Sequence, residues 1–195
     1  KVEILNQMAR LCETNADDPE KAFHTLGRAL ALDPADSDTQ SELERMANTL
    51  VLYDGLADIY VAIVEKLDNP DLASMYHFKI AQTFENYVRD ENKAIFHYRK
   101  VLDIDPTYIE AASALERMYQ HTDNYADLAI IYLKKVEIVH SPEEQKELLF
   151  KASQIYEEVF DNANNAIATY LRILEIDEDD LRAIASLEAI YLKQE

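Results

Sequence analysis

Few residues in this 195-residue chain have the type and spacing to do chemistry. Its five histidines, His24, His77, His97, His121 and His140, include no i, i+4 pair with a glutamate between, the spacing that sets two imidazoles on a zinc ion. They read as scattered surface or half-buried rings. The run Asp33-Pro34-Ala35-Asp36-Ser37-Asp38 has the carboxylate spacing of a calcium loop but lacks its central glycine and terminal glutamate, so helix capping is the better account. The acidic stretch Glu175 to Asp180 reads as a solvated turn at a helix boundary. Cys12 is the only cysteine, which excludes an intrachain disulfide or a multi-thiolate metal site and fits a reducing compartment. No nucleophile, base and oxyanion donor assemble in the pattern, so neither an enzymatic activity nor a cofactor is expected.

Composition narrows the partner class. Nineteen Lys and Arg stand against thirty-eight Asp and Glu, for a net charge of −19, which opposes binding to nucleic acid or to an acidic membrane surface. Only two glycines are present, too few for the loops that cradle phosphates. The 48% apolar content can bury enough surface to offset chain entropy. The longest apolar stretch, Ile59 to Val64, is far short of the ~20 residues that span a bilayer. No basic-then-apolar leader is visible, and a cytoplasmic location is expected. Since the chain starts at Lys1 rather than Met, it reads as a fragment, and a signal upstream would lie outside it.

The elements that position these residues are marked by a repeat. Pro34, Pro70, Pro106 and Pro142 are spaced 36 residues apart, each after a capping-type residue: Asp33, Asn69, Asp105 and Ser141. A stricter identity recurs at 72 residues, where Leu43-Glu44-Arg45-Met46 returns as Leu115-Glu116-Arg117-Met118. Tyr53, Leu56 and Tyr60 return as Tyr125, Leu128 and Tyr132, and eight of the twelve tyrosines fall into such pairs. A period of this size is the mark of stacked repeats.

Each 36-residue step reads as two helices. Ala94, Ile95, Tyr98, Val101 and Leu102 define one helical face, and Asp105-Pro106 ends that helix, because proline disfavours helical geometry in the residue before it. Asp18-Pro19, Asn69-Pro70 and Ser141-Pro142 start helices, with a capping side chain followed by proline at the first position. The count is about eleven helices without strands. Such pairs cannot bury their apolar faces alone and must stack.

At this level the residues resemble the tetratricopeptide repeat (TPR) family, a 34-residue helix–turn–helix pattern ending in proline. Tyr119, Tyr125, Leu128, Tyr132 and Pro142 are similar to its second half. Ala94, Tyr98, Val101 and Pro106 fit its later positions, as do Ala22, Leu26, Ala29 and Pro34. The 72-residue double unit is similar to those of long bacterial TPR arrays. The resemblance implies an all-α, right-handed superhelical solenoid over 1–195. Its units would be about 1–34, 35–69, 70–105, 106–141 and 142–177, with a terminal helix 178–195. There are departures. Ile80 to Ala94 is one residue longer than Leu115 to Leu128, so alternate units differ in helix or turn length. Glu44 and Glu116 stand where the family has a small residue, against close helix packing there. Cys12 aligns with Phe84 and Tyr156 and is expected to be a buried, inert thiol.

By the same resemblance the first helix of each unit faces a concave groove, placing Arg45, Lys79, Arg117 and Lys151 on or near it. Arg45 can pair with Glu42 and Lys151 with Glu147 on their own helices, whereas Lys79 and Arg117 have no acid three or four residues away. These four are the candidate ligands for a partner's carboxylate. Phe78 and Phe150 are candidate apolar anchors, and Gln82 and Gln154 candidate donors to a peptide backbone. The recurring tyrosines read as core packing. The family's two-carboxylate clamp is not matched as a group. The expected function is a non-catalytic scaffold that binds a protein or peptide segment through the groove, the acidic outer face, or both. The alternative is a regulatory or spacer segment of a larger multidomain enzyme or assembly factor. Self-association through exposed end units is a further expectation.

Overall fold

The computed structural model describes residues 1–194, of which the ordered elements are eleven α-helices and two π-turns, with no strand among the described residues. Two compact units are present, Lys1–Ile104 and a second beginning at Asp105.

In the first unit the helices are α1 (Val2–Thr14), α2 (Pro19–Leu32), α3 (Ser37–Leu50), α4 (Tyr53–Val64), α5 (Pro70–Thr83) and α6 (Glu91–Ile104). Helices α2, α3, α5 and α6 begin at a capping side chain. Asp18 accepts from the Lys21 amide with Pro19 at the first helical position, and Asn69 accepts from the Leu72 amide ahead of Pro70. Asp36 accepts from the amides of Asp38 and Thr39, so the acid run from Asp33 to Asp38 is indeed a capping device. Every helix packs on its successor, and α2 also reaches α4. The core between them is built from Ala22, Phe23, Leu30, Leu43, Ala57, Tyr60, Tyr76, Ile80 and Tyr98. Small residues let the helix axes approach, and tyrosines fill the wider layers.

The second unit repeats the scheme with α7 (Ile109–His121), α8 (Tyr125–Ile138), α9 (Pro142–Gln154), α10 (Ala163–Ile176) and α11 (Leu181–Gln194). Its core carries Ala112, Leu115, Tyr119, Leu128, Tyr132, Leu149, Ala166, Tyr170 and Ile173. Asn124, Ser141 and Asn162 cap α8, α9 and α10.

The extra residue counted in the sequence takes a definite form. α5 runs without a break into a π-turn, Phe84–Val88, and α9 into a second, Ile155–Val159. The Arg89 amide bonds the Phe84 carbonyl and the Phe160 amide the Ile155 carbonyl, five residues back in each case. The first helix of the unit is therefore long in α5 and α9 and short in α7, which accounts for the alternation.

Three expectations are revised. Cys12 is half-buried rather than enclosed, although Phe84, at its aligned position, is in the core. Glu44 and Glu116 do not prevent packing, because cationic and phenolic partners on adjacent helices receive their carboxylates. The stretch from Glu175 to Asp180 is more than a solvated turn. The buried ammonium of Lys146 on α9 reaches Asp177 at 2.7 Å, Glu143 at 3.2 Å and Asp180 at 3.6 Å. The bond to Asp177 raises the Lys146 pKa to about 12 and lowers that of Asp177. The terminal helices expose apolar side chains, Ile4, Met8 and Leu11 on α1 and Leu181 and Leu192 on α11.

Candidate partner-binding grooves

Two hollows open between a helix pair and the long helix that follows it, one in each unit. The first, about 260 Å³, is lined by Glu44 and Asn48 of α3, Tyr53, Leu56 and Tyr60 of α4, Lys79, Gln82 and Thr83 of α5, and Asn86 and Tyr87 of its π-turn. The second, about 340 Å³, is lined by Gln120, Tyr125, Leu128, Tyr132, Lys151, Gln154, Ile155, Glu158 and Val159. All nine residues of the second lie 72 positions after residues of the first, and five of the nine are identical. The duplication seen in the sequence thus builds one groove twice.

In the first groove the Glu44 carboxylate is the hub. Its Oε1 accepts the Tyr60 hydroxyl at 2.7 Å and the Lys79 ammonium at 2.6 Å. Burial, followed by the bond to Glu44, pushes the Tyr60 phenol well above its ordinary pKa. One wall is closed by Tyr53 and Tyr87, stacked at 4.1 Å and nearly parallel, with the Tyr53 hydroxyl donating to Asn48.

In the second groove the partners are exchanged. Lys135, at the position of the buried Ile63, donates to Glu116 Oε2 at 2.6 Å. The Tyr132 hydroxyl accepts from Gln120 at 2.8 Å instead of donating to the carboxylate. Lys151 stands 4.0 Å from Glu116 and 5.4 Å above the Tyr132 ring centroid. Val159 replaces Tyr87, so no aromatic stack closes this wall, and the Tyr125 hydroxyl turns to Asp123.

The eight candidate residues named from the sequence divide accordingly. Lys79 and Gln82 line the first groove, and Lys151 and Gln154 the second. Lys79, with no acid three or four residues away on its own helix, finds Glu44 on α3. Lys151 does not pair with Glu147, whose carboxylate is 2.7 Å from Arg182. Phe78 packs edge-on against Tyr98 and Phe150 edge-on against Tyr170, each covering the next helix, with Arg182 over the Phe150 face. Arg45 pairs with Glu42 and Glu13, away from both hollows. Arg117 is exposed on α7 and lines neither.

Sequence reasoning missed one further cluster. His77 of α5 and His97 of α6 meet with their Nδ1 atoms 2.9 Å apart, so one neutral ring donates to the other. His97 is flanked by Phe84 and Phe96. Burial, then the neighbouring His77 and Lys93, lowers its pKa to about 4, and burial with Lys100 also lowers that of His77. Among the described residues no group of three or more His, Cys, Asp or Glu could hold a metal ion, and no helix is long and apolar enough to cross a membrane.

No family model matches the chain, and no curated protein matches it. Among solved structures it is similar to a tetratricopeptide repeat protein from Parabacteroides merdae, at 15% identity over 98% of this chain and 72% of that one, TM-score 0.49. PilF of Pseudomonas aeruginosa is similar at 13% identity over 97% and 82%, TM-score 0.48. YrrB, described as a TPR protein with an unusual peptide-binding site, is similar at 14% identity over 94% and 90%, TM-score 0.45.

Proposed function

We propose that the chain is a non-catalytic interaction scaffold that holds segments of a partner protein in its paired grooves. One observation carries this reading. On α5 and α9 the buried positions have diverged between the two copies: Tyr76, Ile80 and Ala81 correspond to Leu148, Ala152 and Ser153. Two open groove-lining positions of the same helices have not, for Lys79 and Gln82 correspond to Lys151 and Gln154, while Thr83, Asn86 and Tyr87 further along give way to Ile155, Glu158 and Val159. Packing alone constrains buried positions more tightly than exposed ones, since interiors respond to single methylene changes. Identity kept at this open Lys and Gln pair and lost at the buried positions beside it is the pattern that ligand contact, rather than stability, would maintain. The composition of the grooves agrees, with aromatic walls and a few amide and charged groups.

The test is capture of proteins from an extract by immobilised wild-type chain and by a variant with alanine at Lys79, Gln82, Lys151 and Gln154. Circular dichroism checks that the variant keeps its helices. Partners retained by the wild type should be lost from the variant, and an identical retained set refutes the groove reading.

A further inference from the structure

The two grooves are copies, yet their cations are in different states. In the first, the Lys79 side chain is 30% exposed and its ammonium is bound at 2.6 Å to a carboxylate that also receives Tyr60. In the second, one substitution rearranges the charges. Lys135 replaces Ile63, and its own ammonium, on a residue only 9% exposed, occupies Glu116 at 2.6 Å. Two lysines now face one glutamate. A nearly buried ammonium needs that carboxylate more than an exposed one does, because it has less water to replace it.

Lys151 is the cation left over. Its side chain is 48% exposed and Glu116 is 4.0 Å away. Glu147, one turn before it on α9, is held by Arg182. Glu158, the carboxylate on the groove rim, forms no ion pair with it. Gln154, three residues on along the same helix face, is exposed and makes no hydrogen bond within the described residues. Beside this pair lies the apolar floor of Leu128, Tyr132 and Ile155, with Val159 at its rim.

We infer that the groove of the second unit receives an acidic side chain within an extended partner segment, with Lys151 as its counter-ion and Lys135 as the residue that frees Lys151 for it. This rests on the groove reading above and names the ligand chemistry for one of the two sites. An ammonium beside an amide matches a carboxylate followed by a peptide group, since the amide can both donate to and accept from a backbone. That favours an acid inside the segment over a chain terminus. An apolar neighbour of the acid enters the hollow. The first groove, with its cation already paired and its wall closed by the tyrosine stack, is not a site for this group.

The experiment is a nuclear magnetic resonance titration of the full isotope-labelled chain with three probe peptides. They are acetyl-Leu-Glu-Leu-amide, its glutamine analogue acetyl-Leu-Gln-Leu-amide, and acetyl-Leu-Gln-Leu with a free carboxyl terminus. The acidic blocked peptide should shift the backbone signals of Gln154 and Val159. It should bind about two- to fivefold more tightly than the glutamine analogue, the worth of one exposed ion pair. Lys135→Ile restores the first groove's residue, lets Glu116 recapture Lys151, and should lower affinity for the acidic peptide by a similar factor. Lys151→Met, at an exposed position, should abolish the preference for acid over amide. Equal binding of acid and amide forms overturns the inference while leaving the grooves as binding surfaces. So does unchanged affinity in Lys135→Ile, tighter binding of the free terminus, or no shift with any peptide up to about 5 mM. Failure of the groove reading itself appears separately, as unaltered capture by the alanine variant.

Discussion

Lowering the pH should unfasten α5 from α6 through the histidine pair. His97 is 7% exposed and its ring nitrogen meets that of His77 at 2.9 Å, a separation that requires one hydrogen and one lone pair between them. A first added proton can enter at the far nitrogen of the donor ring with the bond intact, but a second places two N–H groups head to head. Lys93 and Lys100, drawn toward Asp90 just ahead of α6 at 3.5 Å and Asp103 within it at 3.7 Å, add positive charge around the pair. The folded chain therefore holds His97 neutral down to about pH 4, whereas the unfolded chain protonates it near 6.5. Below 6.5 the unfolded state binds the extra proton, so stability present above that pH is lost as the pH falls towards 4. The 2.5-unit difference is worth about 3 kcal/mol. The second unit supplies the control, because its equivalent positions are Leu149 and Thr169. Urea unfolding should be compared between the wild type and the double variant His77→Leu, His97→Thr, at about pH 7 and about pH 4.5. Carboxylates titrate in both proteins and cancel in the difference. The wild type should lose about 2–3 kcal/mol more than the variant across this interval. Parallel pH profiles refute the reasoning, as does a His97 proton signal that titrates near the free value.

Two further outcomes follow from backbone and packing. Gly27 lies in α2, where an added Cβ would come within 2.6 Å of the Ile59 Cδ1. Gly27→Ala should therefore cost about 1 kcal/mol in the wild type and clearly less once Ile59→Val removes that methyl and leaves Cγ1 at 3.1 Å, a coupling read by urea denaturation in a double-mutant cycle. Val51 closes α3 in the left-handed region at φ 58°, exposed and β-branched, where its counterpart in the second unit is Asp123 at φ 52°. Val51→Asn should stabilise by about 1 kcal/mol, measured as a rise in thermal midpoint, and an unchanged or lower midpoint refutes strain at this residue.

The helices were legible because their ends are written in local chemistry. Asp18-Pro19, Asn69-Pro70 and Ser141-Pro142 each satisfy an orphan amide with a side chain a few residues away, and no distant residue is needed to make that bond. The residues of the grooves were legible in type but not in partnership. Lys79 and Glu44 are 35 positions apart, and Lys135 and Glu116 are 19 apart, so the choice depends on how one helix is rotated against the next. His77 and His97 were missed for the same reason, being neighbours only across a helix pair. The aromatic pair Phe78 and Phe150 shows the converse. A position assigned by resemblance to a repeat pattern is fixed only to within a face, and Tyr98 and Tyr170 draw both rings toward the next helix.

One arithmetic irregularity in the sequence is what makes the first groove a groove. The residue in excess between Ile80 and Ala94 is absorbed in the π-turn from Phe84 to Val88. Tyr76, Ile80 and Phe84 form a core stripe at successive i+4 steps, all buried. In a continuing α-helix the residue three positions beyond Phe84 would lie within about 60° of that stripe and compete for the core. A π-turn advances each residue by a smaller angle, because its hydrogen bonds span five residues rather than four. Tyr87 is thereby carried away from the core side and out to the rim, where it is exposed and stacks on Tyr53. Val88 takes the half-buried place behind it. The wider turn thus opens the wall of the hollow and supplies the ring that partly closes it. In the second unit the same turn brings Val159 to that rim position, so the opening is kept and the closing ring is not. The two grooves share a backbone device, and two of the side-chain differences between them, Ile63 against Lys135 and Tyr87 against Val159, favour the second as the site open to a partner.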